Sequence, residues 1–248
     1  MLAPAACSKD NGGARRGDSV ARADAVNSAA GDTTLHAPRP TPGSRRLLFV
    51  GTSLTAGLGL EADSAYPQRF ARMVDSAGLP YDVINAGVSG ETSAGLLRRL
   101  DWLLRGPVDV LVLETGANDG LRGIPVASMR ENLRLALTRA RAAHPNAALY
   151  LVQMEAPPNL GRRYTDSFRQ AFADVAAETG VTLLPFLLDG VAGTDELNQP
   201  DGIHPNAEGA RIVAERLWVQ LSPALRARAA GIPGPATPAP IDRGAGVR

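Results

Sequence analysis

Apolar residues in this chain fall into short runs separated by amphipathic stretches. Leu47–Val50, Tyr81–Ile84, Val108–Leu113, Ala147–Met154 and Val181–Leu184 have the length and the Val, Leu and aromatic content of buried strands. Between them the period lengthens to that of helices. Tyr66–Ala77 is closed by Gly78, and Ser93–Leu104 carries Leu96, Leu97, Leu100 and Leu103 along one face. Val126–Ala143 and Asp166–Thr179 follow the same pattern. The last helix is predicted over Pro205–Leu221, with Pro205 at a first helical position, where a missing N–H costs nothing. Five near-continuous apolar strands alternating with helices predict a parallel sheet covered on both faces. Right-handed crossovers then make the fold class α/β, a three-layer α/β/α sandwich on a five-stranded parallel sheet. In such sheets ligands bind beyond the carboxyl ends of the strands.

The flanks read differently. Residues 1–46 are rich in Gly, Ala, Ser, Asp, Arg and Pro and hold almost no large apolar side chains, so they are expected to stay disordered. The folded domain is expected over 47–221, with 222–248 a flexible Pro-rich tail. Charge divides along the same lines: +3 in each flank and −5 in the domain. A mildly acidic body gives nucleic acid little to bind, since that affinity comes mainly from neutralised phosphates. Lys9 is the only lysine, so the domain has no Schiff-base or phosphate-binding lysine. Leu2-Ala3-Pro4-Ala5-Ala6-Cys7 is similar to the small-residue end of a lipoprotein signal, which makes Cys7 a candidate lipid anchor. Only six residues precede it, fewer than an apolar signal segment needs, so that reading requires an upstream start. With such a signal the protein belongs in the periplasm or anchored to a membrane facing it; without one, in the cytoplasm. No apolar run reaches the roughly 18–20 residues of a membrane span.

The strand ends carry chemistry. Gly51-Thr52-Ser53-Leu54 follows the first strand, Ser89-Gly90-Glu91-Thr92 the second and Gly116-Ala117-Asn118-Asp119-Gly120 the third, while Asp201-Gly202-Ile203-His204-Pro205 lies near the last helix. Of three histidines, His36 is in the leader and His144 in a turn before a strand; only His204 has a carboxylate three residues earlier on a loop that can reach the rim. A serine hydroxyl needs a base, and the base an orienting group. Ser53, His204 and Asp201 fit those roles. Each segment alone also has a structural reading: Ser53 as a helix cap, Asn118-Asp119-Gly120 and Asp201-Gly202 as turns, Gly90 as a packing glycine. In this order, at one rim, they read together as acyl-transfer machinery.

These four segments, with Leu121-Arg122-Gly123 and Pro158–Tyr164, resemble the signature blocks of the SGNH hydrolases, or GDSL esterases/lipases, over about residues 47–221. The resemblance is greatest to the bacterial acyl-CoA thioesterase/lysophospholipase/arylesterase group. It implies a flavodoxin-like fold, Ser53 as nucleophile, Asp201 and His204 as its partners, and an oxyanion hole of Ser53 N–H, Gly90 N–H and the Asn118 side chain. The family usually has Asp where this chain has Thr52, which changes local hydrogen bonding rather than the catalytic set. The expected substrates are acyl esters, thioesters or lysophospholipids with short to medium chains. The segment after Asn118 makes Leu121, Arg122 and Ile124 candidate substrate contacts, unless it is a plain connection into the next helix. Arg162 and Arg163 either meet an anionic group at the rim or are solvated.

Two rivals remain at this level: a carbohydrate O-acetylesterase of the same fold, and a nucleotide-binding module suggested by Gly57-Leu58-Gly59-Leu60-Glu61-Ala62. The latter pattern should open a helix straight after a strand, and here it begins seven residues beyond Val50. One cysteine and three scattered histidines make no zinc-like ligand set, so neither metal nor cofactor is expected. Activity is expected to be unchanged in excess EDTA, measured on a chromogenic ester.

Overall fold

The computed structural model describes residues 43–232. Cys7 and the other leader residues discussed above, and the chain beyond 232, lie outside the described residues. Five strands, β1 (Arg45–Gly51), β2 (Tyr81–Gly87), β3 (Val110–Leu113), β4 (Ala148–Val152) and β5 (Thr182–Leu184), pair in parallel in the order β2-β1-β3-β4-β5. Seven helices connect and cover them: α1 (Ser53–Ala56), α2 (Tyr66–Ser76), α3 (Ser93–Leu103), α4 (Ala117–Leu121), α5 (Val126–Ala143), α6 (Arg162–Thr179) and α7 (Ala207–Ala229). Helices α2 and α7 pack together on one face of the sheet; α3, α5 and α6 form the layer on the other. The expected three-layer α/β/α sandwich is thus the observed one. No helix among the described residues is long and apolar enough to cross a membrane.

The central strands are buried on both faces, as their unbroken apolar runs demand: Leu47, Phe49, Val50, Val110, Val112, Leu151 and Val152 are fully buried. Beneath α2 and α7, Phe49 meets Tyr66 and Phe70 edge-on at 5.5 and 5.3 Å, and Phe70 meets Trp218 at 5.5 Å. Phe168 and Phe172 of α6 fill the opposite layer. Strand order reverses direction between β1 and β3, the switch point where a crevice opens beyond the carboxyl ends.

Several boundaries differ from the sequence expectation, three of them for a tertiary reason. Strand β1 begins at Arg45, two residues into the expected leader, because the Arg46 N–H donates to Asp109 at 2.8 Å and the Arg45 N–H to the Pro80 carbonyl. Pro205 is not a first helical residue: it forms an isolated bridge with Asn198, and Asn206 caps α7 by accepting the Glu208 and Gly209 N–H groups. Helix α7 runs to Ala229, so residues 222–229 belong to the fold rather than to a tail. Pro223 interrupts its hydrogen-bond ladder, yet Leu225 is fully buried and the Leu225 carbonyl accepts the Tyr81 hydroxyl at 3.0 Å. Tertiary burial there outweighs the proline.

Leu225→Ala is therefore expected to destabilise the fold by about 2–5 kcal/mol, the cost of emptying a core leucine site, in urea unfolding followed by circular dichroism. A change within about 0.5 kcal/mol would put Leu225 back in a solvated tail.

Candidate active site

The cleft at the switch point is built from the segments beyond all five strands and from the loop that precedes α7. Ser53 opens α1 directly after β1 and is almost buried. His204 comes 151 residues later, and its Nε2 lies 2.8 Å from Ser53 Oγ. On the other side of the ring, His204 Nδ1 lies 2.6 Å from Asp201 Oδ2. Asp201 Oδ1 accepts the N–H groups of Ile203 and His204, both at 3.0 Å. Those bonds, with the imidazole contact, push the Asp201 carboxyl down to about 2. An ionised carboxylate only accepts hydrogen bonds, so Nδ1 carries the ring proton and Nε2 presents its lone pair to the Ser53 hydroxyl.

The His204 loop is closed by backbone bonds from Gln199 N–H to the His204 carbonyl (2.7 Å) and from Asn206 N–H to the Leu197 carbonyl (2.9 Å). Gln199, which sequence reasoning missed, also ties this loop to the Ser53 segment. Its side-chain amide donates to the Leu58 carbonyl at 2.7 Å and to the Pro205 carbonyl at 2.9 Å. Nothing local marks such a residue, since both of its partners are main-chain atoms.

Gly90 and Asn118 face the same cleft. Gly90 sits at φ +76°, a conformation that glycine adopts at little cost. Its turn is held at three points. The Glu91 carboxylate forks onto Arg99 at 2.6–2.9 Å, the Glu91 carbonyl accepts Asn118 Nδ2 at 3.0 Å, and the Gly90 carbonyl accepts Arg122 Nη2 at 2.9 Å. Asp119, buried and also missed, accepts the Ser93 N–H at 2.8 Å and the Ser93 hydroxyl at 2.6 Å, joining the α4 turn to the start of α3. Among the described residues, neither the Ser53 nor the Gly90 amide N–H donates a hydrogen bond within the chain. The Asn118 amide has one hydrogen committed to Glu91, which leaves the second.

The cleft has a volume of about 460 Å³, within the usual range for small-molecule sites, and its walls are largely apolar: Leu54, Leu121, Met154, Ala156, Phe186 and Leu188. Of the three candidate substrate contacts only Leu121 lines it, half-exposed at the mouth. Arg122 is engaged with Gly90, and the Ile124 carbonyl accepts the Tyr164 hydroxyl at 2.7 Å, so neither lines the cleft. Arg162 and Arg163 open α6 in exposed positions. The Gly57–Ala62 pattern leads from the end of α1 into a 3₁₀ turn, Ala62–Ser64, and opens no helix off β1. Among the described residues no group of three His, Cys, Asp or Glu side chains could hold a metal ion.

A parallel sandwich with a serine, a histidine and a carboxylate aligned at the switch point defines the class of α/β hydrolytic enzymes. Comparison with known proteins is more specific: residues 49–212 match the model of the GDSL-like Lipase/Acylhydrolase family, and the chain belongs to that family. It is thus a hydrolase of acyl ester bonds. It is similar to the protein named Esterase TesA of Pseudomonas aeruginosa, with 39% identity over 183 residues, covering 73% of this chain and 90% of that one. It is also 40% identical over 179 residues to the Thioesterase 1/protease 1/lysophospholipase L1 of Escherichia coli, covering 71% and 83% respectively. Among solved structures, the psychrotrophic esterase EstA from Pseudoalteromonas sp. superposes with a TM-score of 0.70 at 34% identity, covering 74% of this chain and all of the other.

With its carboxyl held down at about 2, Asp201 should stay ionised across the acid limb of the activity profile. We expect kcat/KM to fall with a slope of one as pH drops, with no second break above about pH 3. A slope of two at about pH 4 would mean that Asp201 titrates there.

Proposed function

We propose that the protein hydrolyses carboxylic esters and thioesters of short- to medium-chain acyl groups, lysophospholipids among them, through Ser53, His204 and Asp201. The observation that carries this reading is the 2.8 Å contact between His204 Nε2 and Ser53 Oγ at the base of an apolar cleft. His204 takes the Ser53 proton as Oγ attacks the acyl carbonyl, and Asp201 holds the resulting imidazolium. The tetrahedral oxyanion is received by the Ser53 and Gly90 N–H groups and the free hydrogen of the Asn118 amide. Such donors accelerate the reaction because the charge they meet exists only in the transition state. His204 then protonates the leaving alcohol or thiol, and water repeats the sequence to release the acid. Esterase EstA was solved inhibited by monoethylphosphonate, which supports a phosphonate-reactive serine here. Leu121 is the proposed acyl contact at the mouth, with Arg122 acting through Gly90. The periplasmic setting and a lipid on Cys7 rest on the leader sequence and are tested by the intact mass of the natively expressed protein.

Ser53→Ala is expected to lower kcat on p-nitrophenyl butyrate by at least about 10⁴-fold and Asn118→Ala by about 10²–10³-fold. Wild-type turnover in Ser53→Ala would overturn the nucleophile assignment. Along p-nitrophenyl acetate, butyrate and hexanoate, kcat/KM should rise, since each methylene buried in the cleft contributes about 0.8 kcal/mol, about fourfold. A sharp preference for acetyl would favour the carbohydrate O-acetylesterase instead.

A further inference from the structure

Behind Ser53 lies a carboxyl group that acyl transfer does not use. Glu114, immediately after β3, is fully buried, and among the described residues no arginine or histidine pairs with it. Its partners come from the residues on either side of Ser53. Glu114 Oε2 accepts the Thr52 N–H at 2.8 Å and the Thr55 hydroxyl at 2.8 Å, and Oε1 lies 3.0 Å from Thr52 Oγ1. Tyr66, also buried, completes the cluster: its hydroxyl lies 2.7 Å from Thr55 Oγ1 and donates to it while Thr55 donates to Glu114. Burial pushes the Glu114 carboxyl up, and the threonine bonds oppose that. A threonine hydroxyl can donate to a carboxylate or accept from a carboxylic acid, so Thr52 supports either state. The cluster is tightly closed: a side-chain carbon on Gly51 would come within 1.9 Å of Thr55 Oγ1 and 2.5 Å of Glu114 Oε2.

This placement bears on the chemistry because α1 is a single turn of four residues. A helix that short does not hold itself in water. It must nevertheless present Ser53 Oγ to His204, while among the described residues no acceptor fixes the Ser53 N–H. The rigidity has to come from outside the helix, and the structure offers one carboxyl that grips both flanks.

We propose that Glu114 is a positioning residue for Ser53, setting the nucleophile turn by hydrogen bonds to Thr52 and Thr55. The proposal rests on the reading of Ser53 as nucleophile. Displacing a reacting group by about 1 Å can cost about 10²-fold in rate. Glu114→Leu, which removes both acceptors, is expected to lower kcat on p-nitrophenyl butyrate by about 10²-fold with KM within about threefold. The rate of inactivation by a fluorophosphonate should fall in parallel, because it reads the reactivity of Ser53 directly. Glu114→Gln keeps the size and one acceptor and should recover most of the loss. Thr55→Val removes one donor at constant shape, should lower kcat about tenfold, and decides the matter if Glu114→Leu does not fold.

The proposal is overturned if the folded variants keep wild-type kcat and phosphonate rate and change only Tm. It is also overturned if Glu114→Gln is as impaired as Glu114→Leu, since hydrogen bonding would then not be the means. Ser53→Ala, run alongside, separates the two readings: turnover in that variant defeats the nucleophile assignment, whereas a dead Ser53→Ala with unaffected Glu114 variants defeats only the positioning role.

Discussion

Parallel pairing of five strands is the constraint from which the site follows. It brings every carboxyl end to one rim, so Ser53 after β1, Gly90 after β2 and Asn118 after β3 become neighbours although they are scattered over 66 positions of sequence. The reversal between β1 and β3 then leaves a crevice at that rim, because the connecting helices depart to opposite faces. His204 needs no strand of its own. Its loop is pinned by the Asn198–Pro205 bridge and by Gln199, and the cap at Asn206 starts α7 immediately behind it.

The carboxylates around the rim divide by environment. Asp201 is part-exposed, accepts two backbone N–H groups and an imidazole, and stays ionised. Glu91 is paired bidentately with Arg99. Glu114 and Asp119 are buried with hydroxyl and amide donors instead of cations. A buried carboxyl is costly unless hydrogen-bonded, and here each one joins two loops that would otherwise be free to move independently. Thr52 acquires a meaning in this context, since both its N–H and its hydroxyl meet the buried Glu114 carboxyl without adding a second charge.

Much of this was legible in one dimension. The runs around Phe49, Val112 and Leu151 announce strands because burial on both faces leaves no polar alternation to confuse them. His204 stood out by elimination, histidines being so few, and Ser53 and Asp201 were matched to it by the roles a base requires; the structure brings the three within hydrogen-bonding distance. The placing of Pro205 in a helix and of residues 222–229 in a tail failed for one reason: local propensity was read without the tertiary partners, Asn198 in one case and Tyr81 in the other, that override it. Arg122 was read as a substrate contact from its position in a loop, whereas its guanidinium turns back to a carbonyl 32 residues earlier.

By itself the order of residues determined the fold class and singled out candidate groups at the strand ends, because strand burial and reactive side-chain types leave marks at single positions. The three-dimensional packing alone decided which groups meet: Gln199 with Leu58, Asp119 with Ser93, and Glu114 with Thr52 and Thr55. Hydrogen bonds across such separations depend on where two loops are delivered by the sheet, and no local pattern encodes that distance.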